Sequence, residues 1–270
     1  MKGVRLSRPE DLAALKEVWS ASFPGDEAFS EWFLKCVYAP ENALVYEDGG
    51  RAAAMLHLRP VTLRAGGEAL TAAYVYAVAT LPSFRGKGVA AALLGGAEDL
   101  SRARGASYLM LVPQSESLFE YYRRQGFETA FFRGQRMISV GGAAAPGLVA
   151  DDAPGIPELN ECFEVALSGR DHVLRSGEDW ARSLTYLRAL GVRRAGRLEG
   201  YAVYEPGGAV RELVAGDEFV RRALEIAALE RLAAPEAAYF TPEGALPYGM
   251  ARAVRPAPEI RGGYAGLMLD

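Results

Sequence analysis

SFRGKGVAAALL, residues 83–94, sets glycine, the most flexible residue, directly against a run of strong helix formers. Ahead of it VYAVATL (75–81) reads as a strand. PSFRGKG (82–88) reads as a tight turn, and VAAALLGGAEDL (89–100) as a helix whose apolar positions 89, 90, 93, 94, 97 and 100 share one face. The first turn of a helix carries N–H groups without partners and the positive end of the macrodipole. Gly86 and Gly88 remove side chains that would shield that backbone, and Arg85 and Lys87 add positive charge. Together they make a site for phosphate, most naturally a pyrophosphate. A plain glycine turn with solvated basic residues fits the same spacing. The stretch is not GxxxxGK[ST], and with Ala91 at the last position it is not GxGxxG.

The surrounding chain has 270 residues, of which 50% are hydrophobic and 24% charged, with a formal net charge of −4. That is the composition of a soluble globular protein with room for two small domains. Mild acidity supplies no global attraction for nucleic acid or anionic membrane. Cys36 and Cys162 stand far apart, no CxxC occurs, and the histidines are only His57 and His172. A His/Cys metal site is therefore not expected. The segment MKGVRLSRPEDL has no apolar stretch behind its charges, and no run approaches the roughly 20 residues of a membrane span. The expectation is a cytoplasmic chain with reduced thiols. Nothing in the sequence announces an oligomeric interface.

The first half alternates strand and helix signals, which indicates an α/β fold with a mixed (α+β) sheet. VRLSR is a short strand, and helices are expected over 9–23 and 26–38, the second with Phe29, Trp32, Phe33 and Cys36 on one face. Hairpins turn at Asp48-Gly49-Gly50 and at Gly66-Gly67. After the opening helix, ending near Arg104, come a buried strand at 107–113, a helix to Gln125 and strands over 127–140. GGAAAPG opens a linker assigned to 141–150. The second half repeats the pattern: helices at 156–167 and 177–190, strands at VRRAG, GYAVYE and AVRELV, a helix from Asp217 to Leu232, then AAYFTP, YGMARAV and the tail GGYAGLMLD. Two related lobes are expected, 1–140 catalytic and 151–270 degenerate. Where the first has RGKG, the second has VAGDEFVRR.

A further signal lies in SESLFEYYRRQGF (115–127), where Tyr122 stands four residues before Gly126 and Phe127 opens a strand. Arg85-x-x-Gly88-x-Ala90, a strand, then Tyr122-x-x-x-Gly126-Phe127 resembles the GNAT family of acyl-CoA-dependent N-acetyltransferases, over about residues 3–140. The tandem lobes resemble its "enhanced intracellular survival" branch, whose members act on amines of aminoglycosides or protein lysines. No counterpart of the larger members' additional C-terminal domain is expected within residues 1–270.

The resemblance implies a V-shaped gap between strands 73–81 and 107–113 in which the pantetheine of acetyl-CoA lies. Backbone groups of Val78, Ala79 and Thr80 would pair with its amides. The amides of Arg85, Gly86, Lys87, Gly88, Val89 and Ala90 would hold the pyrophosphate. A neutral amine would attack the thioester and expel a thiolate, and Tyr122 would protonate it, since a phenol of pKa about 10 stays protonated at neutral pH. Packing on an amphipathic helix is the bland alternative for Tyr122. Ser117 is a further cofactor contact or a helix cap. Candidates for the base are Glu27, Glu31, Tyr74, Tyr76 and Glu116, together with the chain-terminal carboxylate at Asp270. His57 and His172 read as structural or surface residues. Asp171, Glu178, Asp179 and Glu212 of the second lobe could favour a cationic acceptor. The leading function is acyl transfer from CoA to an amine of a small molecule or protein. The alternatives are a tandem-lobe aminoacyl transferase using charged tRNA, and a CoA-binding sensor without turnover.

Overall fold

The computed structural model describes residues 2–139 and 145–266. In chain order the elements are β1 (Gly3–Leu6), α1 (Leu12–Ser22), α2 (Glu27–Cys36), β2 (Ala43–Asp48), β3 (Arg51–Ala65), β4 (Glu68–Thr80), α3 (Val89–Ala103), β5 (Tyr108–Leu111), α4 (Glu116–Arg124) and β6 (Glu128–Ser139). They continue with β7 (Leu148–Asp151), α5 (Ile156–Ala166), β8 (His172–Val173), α6 (Gly177–Tyr186), β9 (Arg188–Arg194), β10 (Arg197–Tyr204), β11 (Val210–Ala215), α7 (Glu218–Leu232) and β12 (Glu236–Ala253). The fold is mixed α/β.

Two compact units divide the chain, and neither is contiguous. The first holds residues 1–61, 70–128 and 250–257; the second holds 62–69, 129–249 and 258–270. In the first unit the strands run β1-β2-β3-β4-β5, and β12 supplies Met250–Ala253 beside β5. That last pairing is antiparallel, from Met250↔Leu111 to Ala253↔Tyr108. Leu93, Leu94 and Ala97 of α3 pack with Leu109, Leu111, Phe127, Met250 and Val254 in one core. The apolar face read from residues 89–100 is therefore the face that is buried.

In the second unit the order is β12-β11-β10-β9-β7. Leu224 and Ala228 of α7 meet Leu190, Val192, Leu213 and Tyr239 in one core, and Phe163, Trp180 and Tyr201 form another. The glycine hairpins fold as expected. Gly49-Gly50 and Gly66-Gly67 take φ values of +62, +83, +58 and +84°, which side-chain-bearing residues adopt at a cost.

Two expectations need correction. The helix placed at 177–190 stops at Tyr186, because Leu190 and Val192 alternate into the core as part of β9. The two late strand candidates are one strand, β12. Its interior Gly244 faces Gly134 of β6 so closely that a Cβ on Gly244 would lie 2.3 Å from the Gly134 Cα. Paired glycines let these two backbones pass.

Candidate active site

The site begins where β4 and β5 part. They pair in parallel only from Ala72↔Tyr108 to Tyr74↔Met110. Beyond that point β5 continues with β12, through Met250↔Leu111, while β4 stays with β3: Leu81 N donates to Ala53 O at 3.0 Å. A wedge therefore opens beside residues 75–80. Within it Ala77 has φ +48°, an unusual state for a residue with a Cβ, costing about 1–2 kcal/mol. A left-handed residue inside a strand interrupts its alternation, just ahead of Val78, Ala79 and Thr80. No residue-type signal at an alanine could have shown it.

At the mouth of the wedge Gly86 and Gly88 have φ +73 and +75°, and Gly88 is the N-cap of α3. A Cβ at either would meet nothing within 4 Å, so the glycines serve backbone conformation and open approach, not packing. The helical ladder begins at Ala92 N to Gly88 O, 3.0 Å. The amides of Gly88, Val89, Ala90 and Ala91 precede it and point out of the helix end, where an anion is favoured.

Arg85 is placed differently from its expected role. Its amide closes a turn on Pro82 O at 3.2 Å. Its guanidinium donates to Thr80 O (3.0 Å) and Ala21 O (3.3 Å). Arg85 thus braces the end of β4 and the end of α1 against the loop, and the amides available to an anion start after it. Lys87 is exposed, its ammonium 5.4 Å from the Phe84 ring centre.

Tyr122 is the buried residue of α4, with 7% of its surface accessible. It packs edge-on against Phe127 and Tyr121. Burial, with the adjoining Tyr121 adding to it, raises its hydroxyl above the ordinary tyrosine pKa, so it is protonated at neutral pH. Among the described residues nothing hydrogen-bonds that hydroxyl. The α4 cap is Ser115, whose Oγ accepts from Leu118 N; Ser117 is exposed, 3.0 Å from it.

The base candidates scatter. Glu27, Glu31 and Glu116 are exposed, and Tyr74 is buried. Tyr76 is half-buried and stacks on Phe33 at 5.3 Å, in a ring cluster with Trp19 and Phe29. Only the aromatic face of α2 hinted at that cluster. His57 lies among Trp19, Phe33 and Tyr38, and burial pushes its pKa down to about 3. His172 is buried, its Nδ1 2.7 Å from Arg170 O. Asp270 lies outside the described residues.

Of the second-unit acids read as favouring a cationic acceptor, Glu178 is exposed, whereas Glu212, Asp179 and Asp171 are used internally. Glu212, fully buried, receives Arg175 at 2.7 and 2.6 Å, Tyr201 at 2.7 Å and Tyr264 at 2.6 Å. Burial opposes its ionisation, but the facing Arg175 charge and these donors outweigh it and hold its carboxyl below the usual range. Ser176 caps α6, its Oγ accepting from Asp179 N while the Asp179 carboxylate accepts from Ser176 N, and Asp171 accepts the amides of Gly66 and Arg261. At the turn that replaces RGKG, Asp217 accepts from Val220 N and from Arg194, both at 2.8 Å. A carboxylate of the chain itself thus occupies the α7 N-terminus.

Residues 3–130 match the family model described as the acetyltransferase (GNAT) domain. That stretch is similar to a GNAT acetyltransferase domain and makes up a little under half of the chain. Solved structures share the fold across both GNAT lobes. A probable N-acyltransferase of Enterococcus faecalis V583 is 17% identical over 94% of this chain and 72% of that one, with TM-score 0.73. Eis1 of Mycobacterium abscessus is 18% identical over 93% and 73%, TM-score 0.62. A tandem GNAT protein from the clavulanic acid biosynthesis pathway is 14% identical over 94% and 99%, TM-score 0.59. At such identities the likeness is one of fold. Curated proteins give no match by sequence. The expected tandem GNAT fold is thus found, and the acetyltransferase match lies in residues 3–130. Among the described residues no cluster of three metal-ligating side chains occurs, and no helix is long and apolar enough to cross a membrane.

Proposed function

We propose that the protein transfers an acetyl group from acetyl-CoA to a primary amine of a small molecule or protein, with residues 1–140 as the catalytic lobe and 151–270 as a degenerate partner joined by 141–150. The observation that carries this reading is the α3 N-terminus, opened by two left-handed glycines at the mouth of the β4–β5 wedge. Acetyl-CoA supplies the activated thioester. The amides of residues 86–90 hold its pyrophosphate, and the backbone of Val78, Ala79 and Thr80 pairs with its pantetheine amides. Tyr122, kept protonated by burial, gives its proton to the departing thiolate. In this reading Ser117 is a rim contact to the cofactor, and the carboxylate of Asp270, which lies outside the described residues, is the base. With Asp217 seated on the α7 N-terminus, the second lobe takes no CoA. The free thiols of Cys36 and Cys162 suit the reducing cytoplasm.

The test is thiol release from acetyl-CoA across a panel of primary amines, with mass detection of the acetylated product. Amine-dependent release that depends on Tyr122 supports the reading. Tight acetyl-CoA binding without release to any amine would favour a CoA sensor instead.

A further inference from the structure

The second unit contains a cavity of about 400 Å³ that the proposed reaction does not use. One face of α5 walls it, with Glu161, Cys162 and Val165 at helical spacing, and Leu198 and Glu199 of β10 line it opposite Glu243 of β12. The lining has two characters. Leu198 belongs to the buried core beneath, whereas Val165 leaves 63% of its surface in water. An aliphatic side chain standing that exposed in a concave site favours a ligand with a hydrocarbon body.

The charges are unbalanced. Glu158 is neutralised by a two-pronged contact with Arg193 at 2.7 and 2.8 Å. Glu161 and Arg197 make only an exposed pair at 3.4 Å. Glu199, half-buried, and Glu243, exposed, form no ion pair among the described residues, and Glu243 accepts a hydrogen bond from Thr241 Oγ1 at 2.5 Å. The pKa of the Cys162 thiol, which lines the cavity, is raised to about 11 by burial first, then by Glu161, with Glu199 and Glu158 adding to it and Arg197 opposing.

We propose that this cavity binds an organic ammonium ion, its hydrocarbon body on Val165 and Leu198 and its charge answered by Glu199 and Glu243. The site lies wholly within the second unit and is independent of acetyl-CoA binding. It gives the degenerate lobe a cationic ligand in place of the nucleotide it has lost.

Cys162 provides the readout. In a Cys36→Ser background, alkylation of Cys162 by iodoacetamide is followed by intact mass with 1,6-diaminohexane as the probe and adipate at matched ionic strength as control. With each rate corrected for the thiolate fraction read by ultraviolet absorbance under the same conditions, the diamine at twice its dissociation constant slows alkylation about threefold. Adipate leaves the rate unchanged. The Glu199→Gln/Glu243→Gln double variant loses the protection while keeping its melting temperature and its acetyl-CoA affinity. Each single variant weakens protection in part. Absence of protection by the diamine, equal protection by adipate, or protection undiminished in the single and double variants would overturn the assignment.

Discussion

Substituting Arg85 and Lys87 separately distinguishes a brace from a charge. Arg85 donates to the carbonyls of Thr80 and Ala21, joining the loop to β4 and α1, whereas Lys87 projects into solvent over Phe84. Two exposed hydrogen bonds from a charged donor are worth about 1–2 kcal/mol together. Arg85→Gln is therefore expected to lower the melting temperature by a few degrees. It also lets the loop relax, and acetyl-CoA affinity falls about five- to tenfold, roughly 1–1.4 kcal/mol. Because the lost contacts are to carbonyls, the salt dependence of binding stays as in the native protein. Lys87→Ala removes a solvated charge; a unit charge pair at about 4 Å is worth about 1 kcal/mol in water, so affinity is expected to fall about fivefold at low salt. That loss shrinks as salt screens the pair, and stability is unchanged. Calorimetric titrations at low and high sodium chloride, with thermal melts, read affinity, its salt dependence and stability for both variants. If Arg85→Gln flattened the salt dependence without touching stability, Arg85 would be a phosphate ligand and the brace would be refuted.

Tyr122→Phe removes a hydroxyl to which no described residue hydrogen-bonds, so fold and acetyl-CoA affinity persist while kcat drops about 10²–10⁴-fold; steady-state kinetics beside calorimetry check this. Glu212→Gln leaves Arg175 buried without its counter-charge and costs about 3–5 kcal/mol in urea unfolding. The folded Glu212 pKa lies below the unfolded value, so its contribution is full above about pH 4.3 and is lost as pH falls through the lower folded value. Acid titrations of native and Gln forms should converge there. Asp217→Ala removes the α7 cap, costing about 1 kcal/mol, and creates no second CoA site, since no glycine-opened turn precedes that helix.

What the sequence made legible was local. Glycines beside a helical apolar stripe announced the α3 N-terminus, and Asp-Gly-Gly and Gly-Gly announced two hairpins, because turn conformation is written in the residues that make it. Tyr122 was visible through its distance from Gly126. Long-range facts were hidden. That residues 250–253 complete the first unit's sheet depends on β5 having a free edge, and no pattern within β12 encodes that. Arg85 reads as a phosphate charge until Ala21, distant in sequence, is seen beneath its guanidinium. Ala77 carries the left-handed backbone of the wedge with no glycine to mark it. Glu212 reads as a surface acid in AVRELV, and its burial follows from Arg175, Tyr201 and Tyr264 converging on it.

The most direct test of the account is a calorimetric titration of the whole protein with acetyl-CoA. One site per chain, lost when Gly88 is replaced by a bulky residue and intact in Asp217→Ala, is the predicted result. Two sites would show that the second lobe also accepts the cofactor. No binding would reduce residues 85–90 to an ordinary turn and contradict the proposed reaction.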